Sequence, residues 1–158
     1  FQQLPFDAIT VAPYMGKDSV TPFLEFSDKW TIVLGLTSNP GAVDFELLPV
    51  GEGMLYEQVL KKVATWGHPS NLMFVVGATQ ADSFVSIRSL CPDHFFLVPG
   101  VGAQGGSLKE ISTKAMNKDV GLLVNASRAI IYASAKEDFA EAAKEAAKAY
   151  QQEMASYL

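Results

Sequence analysis

Five apolar runs constrain what this 158-residue chain can fold into: AITVAPY from Ala8, WTIVLGL from Trp30, LMFVVGA from Leu72, HFFLVPG from His94 and GLLVNA from Gly121. Most are near-continuous in Val, Ile, Leu and Phe rather than alternating apolar with polar. A strand with one wetted face alternates, whereas a continuous run marks a strand buried on both faces of a parallel sheet. The runs start mostly 22 to 27 residues apart, which leaves room for a crossover helix in each right-handed β-α-β unit.

The intervening segments carry a helical period. Leu55, Val59, Val63 and Trp66 recur at three- and four-residue steps, with Glu57, Lys61 and Lys62 on the other side. Asp18 to Phe26 reads as a shorter helix. Thr79-x-x-Asp82 and Ser107-x-x-Glu110 each have the pattern of a helix-opening cap, the second being the clearer capping box. The Ala-rich tail from Lys136 places Phe139, Ala143, Ala146, Tyr150 and Tyr157 on one stripe, predicting a long outer helix packed on the sheet. The longest irregular stretch is 37–53, TSNPGAVDFELLPVGEG; loops of that length in compact domains are usually functional. Five β-α units in one domain over residues 1–158 follow. They suit either an open doubly wound sheet or part of a (β/α)₈ barrel.

Composition narrows the function classes. With apolar residues at 49% and charged residues at 18%, one soluble globular domain is expected. A net charge of −5 and no Lys/Arg run argue against nucleic acid or an anionic membrane surface as partner. No apolar stretch approaches the roughly 18 to 20 residues of a membrane span. Cys91 stands alone, so no intrachain disulfide framework is possible and the cytoplasm is the default compartment. It reads as a small buried hydrophobe. His68 and His94 lack companions at ligand spacing, so no metal site is expected.

Function in both architectures sits at the carboxyl ends of the strands. Those ends hold small residues, hydroxyls, amides and one arginine, with no Asp, Glu or His within two residues in sequence. Gly100, Gly102 and Gly105 fall in the spacing G-x-G-x-x-G of a dinucleotide fingerprint. That fingerprint needs an acidic residue about 20 positions on to hold the ribose, and 125–128 reads Asn-Ala-Ser-Arg instead. The NAD reading therefore fails. A glycine-rich backbone, a capped helix start at Ser107 and the following Arg128 suit a phosphate group instead.

Taken together, VPGVGAQGG, LGLTSNPG and NASRAIIYA resemble the phosphate loop, the pyrimidine-contacting loop and the strand-eight arginine loop of orotidine 5′-phosphate decarboxylases of the longer bacterial branch. ITVAPYMGKDSVTPFL and FVVGATQ are similar to the same branch. The resemblance implies a (β/α)₈ barrel of which this chain supplies about strands four to eight, the N-terminal β-α units lying outside it. It implies a homodimer that converts orotidine 5′-phosphate to UMP without cofactor or metal. By position, Gln104 and Arg128 would grip the phosphate, helped by backbone N–H groups around Gly102 and Ser127. Ser38, with neighbouring Thr37, would meet the pyrimidine ring, and Pro99 would line the base pocket.

The family's D-x-K-x-x-D array at the end of strand three occurs nowhere in this sequence. Loss of carboxylate from orotate leaves a carbanion-like state that needs a positioned cation and proton donor. The chain thus reads as the binding half without the acid/base half, inactive alone. Two other readings stay open: a non-catalytic nucleotide-binding half barrel, and another phosphate-handling barrel such as a sugar-phosphate isomerase or epimerase.

Overall fold

The computed structural model describes residues 1, 3–102 and 105–158. The five apolar runs are strands β1 (Ala8–Val11), β2 (Trp30–Leu36), β5 (Leu72–Val76), β6 (Phe95–Pro99) and β7 (Leu122–Asn125). They form one parallel sheet in the order β1-β2-β5-β6-β7. Helices α1 (Lys17–Leu24), α2 (Leu55–Ala64), α3 (Phe84–Leu90) and α4 (Leu108–Ala115) connect them. The short α5 (Arg128–Ile131) and the long α6 (Phe139–Ala155) follow β7.

The choice between open sheet and barrel is decided by where the helices lie. Val20, Leu60, Val63, Phe84, Ile87, Leu108 and Ile111 from four helices share one core with Val33, Leu36, Phe74, Val76, Phe96 and Val98. The opposite face holds Ile32, Met73 and Val75 with Trp30, Leu34, Phe95 and Leu97 packed against them, and no helix residue among those described. Trp30 and Phe95 meet edge to face there, 6.2 Å between centroids. A doubly wound sheet reverses its strand order and takes helices on both faces. Strands in sequence order with helices on one face make an arc of a (β/α)₈ barrel, the helix-free face being the barrel's interior.

Several local expectations are corrected. The segment 37–53 folds into a 3₁₀ turn (Pro40–Asp44) and a minimal antiparallel hairpin of β3 (Pro49–Val50) and β4 (Gly53–Met54). Thr79 does not cap α3. A 3₁₀ turn at Ala81–Ser83 intervenes, and the helix opens after Ser83 without a side-chain cap. Ser107 does cap α4, accepting from Glu110 N–H. In α2 the buried stripe is rotated onto Tyr56, Leu60 and Val63. The first helix runs Lys17–Leu24 rather than reaching Phe26. In α6 no residue is fully buried; Tyr150 and Met154, with Tyr157 just past the helix end, pack on the core while Phe139 is 60% exposed.

At the amino ends of β6 and β7, Arg88 closes the base of the arc. Its guanidinium donates to the carbonyls of Ala115 (2.8 Å), Cys91 (3.0 Å), Pro92 (3.3 Å), His94 (2.7 Å) and Gly121 (3.0 Å). It also lies 3.8 Å above the Phe96 ring. Burial brings its pKa down to about 10. Beside it, burial pushes the Cys91 thiol up to about 11, which makes a weak nucleophile. The buried His94 ring packs on Phe74, 5.3 Å between centroids, and burial lowers its pKa. Neither of its nitrogens has a partner among the described residues.

Candidate functional site

The carboxyl ends of β2, β5, β6 and β7 stand side by side, and backbone bonds tie them into a row. Gly77 N–H donates to Leu36 O (2.8 Å) and Ala78 N–H to Pro99 O (2.8 Å). Pro99 lies in register with Asn125. Ser38, Pro99, Ser127 and Arg128, picked from distant parts of the sequence, thus lie along one edge. The approach of neighbouring loops is close: a Cβ on Gly77 would fall on Ser38 Oγ, and one on Gly106 would meet the Ala78 methyl.

At the far end of the row, Pro99, Gly100, Val101, Asn125, Ala126, Ser127 and Arg128 line a cavity of about 190 Å³. Its glycine loop has Gly100, Gly102 and Gly105 at φ of +94°, +74° and +90°, left-handed values that a side chain would strain. Gly102 donates its N–H to Gly106 O (3.1 Å) inside the loop. Its Cα faces Tyr150 of α6 so closely that a Cβ there would collide with the tyrosine hydroxyl. Gln104 lies outside the described residues.

Arg128 opens α5, is exposed, and forms no ion pair among the described residues. Ser127 Oγ donates to Asn125 Oδ1 (3.1 Å), and the Ser127 and Arg128 N–H groups take no backbone acceptor among the described residues. An exposed guanidinium beside free amide donors and the capped start of α4 can receive a dianion.

At the near end, Thr37 is held by a residue that sequence distance concealed. Glu46 lies nine positions on, yet its carboxylate accepts from Thr37 N–H (2.7 Å) and from the Thr37 hydroxyl (2.8 Å). Gln80 Nε2 donates to Thr37 O (3.1 Å). The expectation of strand ends without a carboxylate holds along the sequence and fails in space. Ser38 Oγ is buried and has no hydrogen-bond partner among the described residues. No group of three or more His, Cys, Asp or Glu side chains converges on a metal site among the described residues. None of the described helices is long and apolar enough to cross a membrane.

A parallel arc wound in sequence order, with its polar loops gathered at the carboxyl ends, defines a (β/α)₈-barrel protein of the kind that binds ligand at that rim. The chain belongs to the orotidine 5′-phosphate decarboxylase / HUMPS family, whose model matches residues 1–146. It is 58% identical over all its residues to an orotidine 5′-phosphate decarboxylase of Flavobacterium johnsoniae, of which it covers 58%. Among solved structures, it is similar to Leishmania donovani UMP synthase (TM-score 0.79, 41% identity, 92% of this chain and 32% of that one). It is similar also to Leishmania donovani OMP decarboxylase (TM-score 0.77, 37% identity, 92% of this chain and 56% of that one). The chain therefore spans a little over half the length of the curated relatives it matches.

Proposed function

We propose that the natural protein carrying this chain decarboxylates orotidine 5′-phosphate to UMP in pyrimidine nucleotide synthesis, and that residues 1–158 are one domain supplying its ligand-binding loops. One observation carries the reading: the row of strand ends puts the exposed Arg128, without an ion pair among the described residues, and its cavity at one end and the Ser38 loop at the other. A nucleotide monophosphate has that polarity, a dianion at one end and a hydrogen-bonding ring at the other.

In this reading Arg128 and Gln104 grip the phosphate, helped by backbone N–H groups around Gly102 and Ser127. Pro99 lines the base pocket and Ser38 meets the ring, with Thr37 holding it in place. The proton donor and cation for the carbanion-like state come from a D-x-K-x-x-D array, which these 158 residues lack. Alone they bind weakly and catalyse nothing. The whole protein acts as a homodimer in the cytoplasm, without cofactor or metal, on a small-molecule nucleotide.

The test is decarboxylation by the full-length natural protein, with binding of UMP, uridine and ribose 5-phosphate alongside. Turnover together with tighter binding of UMP than of either part supports the reading. No turnover, with UMP bound no better than ribose 5-phosphate, would instead favour a different phosphate-handling barrel.

A further inference from the structure

The two best-built polar contacts at the rim converge on Thr37. Its N–H donates to Glu46, its hydroxyl lies within hydrogen-bond distance of both Glu46 and Asn39 Oδ1, and its carbonyl accepts from Gln80. Both polar groups of one residue's main chain are therefore held by side chains, from two different loops. Charge-assisted bonds of this length are the stronger kind. Glu46 is itself anchored, since Tyr56 N–H in the first turn of α2 donates to Glu46 O (2.9 Å) and Tyr56 is buried. Leu55 N–H likewise donates to Leu48 O (2.8 Å), which fixes the hairpin segment on the same helix start.

Rigidity then passes to Ser38. With the Thr37 peptide clamped, and Gly77 both bonded to Leu36 O and leaving no room beyond the hydroxyl, Ser38 Oγ is confined to one place at the rim. A buried hydroxyl without a partner is rare unless a site uses it.

We propose that Glu46, assisted by Gln80, is a positioning residue that sets the Ser38 loop for the pyrimidine ring. The assignment rests on the nucleotide-binding reading above. In this assignment Glu46 acts through Thr37, whose N–H and hydroxyl its carboxylate meets, rather than on the ring itself. Its contribution is to fix a donor before the ligand arrives, which reduces the ordering cost of binding.

The experiment uses the full-length natural protein and compares UMP with ribose 5-phosphate, which has the phosphate but no ring. Glu46→Ala is expected to weaken UMP by about 10- to 50-fold while ribose 5-phosphate changes by less than about twofold. Glu46→Gln keeps one acceptor for Thr37 N–H, and is expected to recover to within about threefold of wild type. Thr37→Val removes only the hydroxyl arm. It should fall between the two, with a less than additive loss when combined with Glu46→Ala. Equal losses for both ligands in Glu46→Ala, or an unchanged UMP affinity, overturn the assignment while leaving the nucleotide reading intact. Wild-type protein that binds UMP no better than ribose 5-phosphate overturns the nucleotide reading and this assignment together.

Discussion

The chain has two arginines, and they stand at opposite ends of the same strands. Arg88, at the amino ends, donates to five carbonyls and stacks on Phe96. Arg128, at the carboxyl ends, is exposed on a cavity of about 190 Å³ and pairs with no acid among the described residues. One guanidinium is consumed by the fold and the other is held out from it. The contrast separates a stability end from the proposed ligand end, as barrels do in general, and it can be broken from either side.

Arg88→Leu should show the largest effect. Five carbonyls lose a shared donor, several of them shielded from water, and unfolding measurements should record a loss of about 3 to 5 kcal/mol. Arg88→Lys should recover little, since an ammonium cannot span the fork. A loss below about 1 kcal/mol would mean that water replaces the guanidinium freely.

Arg128→Ala is the complement, with stability unchanged to within about 0.5 kcal/mol. UMP should weaken about 100-fold and uridine hardly at all, because only UMP offers a dianion. Gln104→Ala should act in the same direction but less, a neutral amide being the weaker donor. Equal losses for UMP and uridine would remove the phosphate role.

Gly102→Ala tests how far the ligand end depends on the backbone. A methyl at φ +74° is strained and collides with the Tyr150 hydroxyl, so phosphate ligands should weaken about tenfold. Adding Tyr150→Phe should return part of that loss. No return would place the damage in the dihedral alone.

The smallest effect concerns pH at the stability end. His94 is buried with a lowered pKa, so below its unfolded value of 6.5 the unfolded chain takes up a proton that the folded chain refuses. Stability should be flat from pH 8 to 7 and fall below about pH 6.5, by at most about 1.4 kcal/mol per pH unit from this ring. The groups facing it are Arg88 and Asp93, with His68 farther off. His94→Phe should flatten that part of the slope in urea titrations at several pH values.

The legible parts of this molecule were those written in local pattern. Continuous apolar runs gave all five main strands, and Ser107-x-x-Glu110 gave a real helix start, because burial on two faces and end-capping both leave a short-range trace. Arg88 left none. Nothing in the local pattern of SFVSIRSL marks it, and its acceptors are five carbonyls between residues 91 and 121. Glu46 was hidden by the irregular path of 37–53, and Thr79 misled because the cap pattern lacks the 3₁₀ turn that separates it from α3. The contacts that decide the site pass between loops, where no period applies. The choice of barrel over doubly wound sheet likewise needed three dimensions, since both share one sequence rhythm.

The sequential strand order bears on how the chain folds. Register pairs Ala8 with Trp30, Met73 with Phe95 and Phe96 with Leu122, all about one β-α unit apart. Only Thr31 with Leu72 is longer, because the rim segment holding Glu46 and the hairpin lies between them. Closure entropy grows with the logarithm of loop length, so nearly doubling that span adds only about 0.6 kcal/mol to the search. Each strand of the arc can dock on its predecessor in the sheet. The segment that equips the rim adds little delay to assembly.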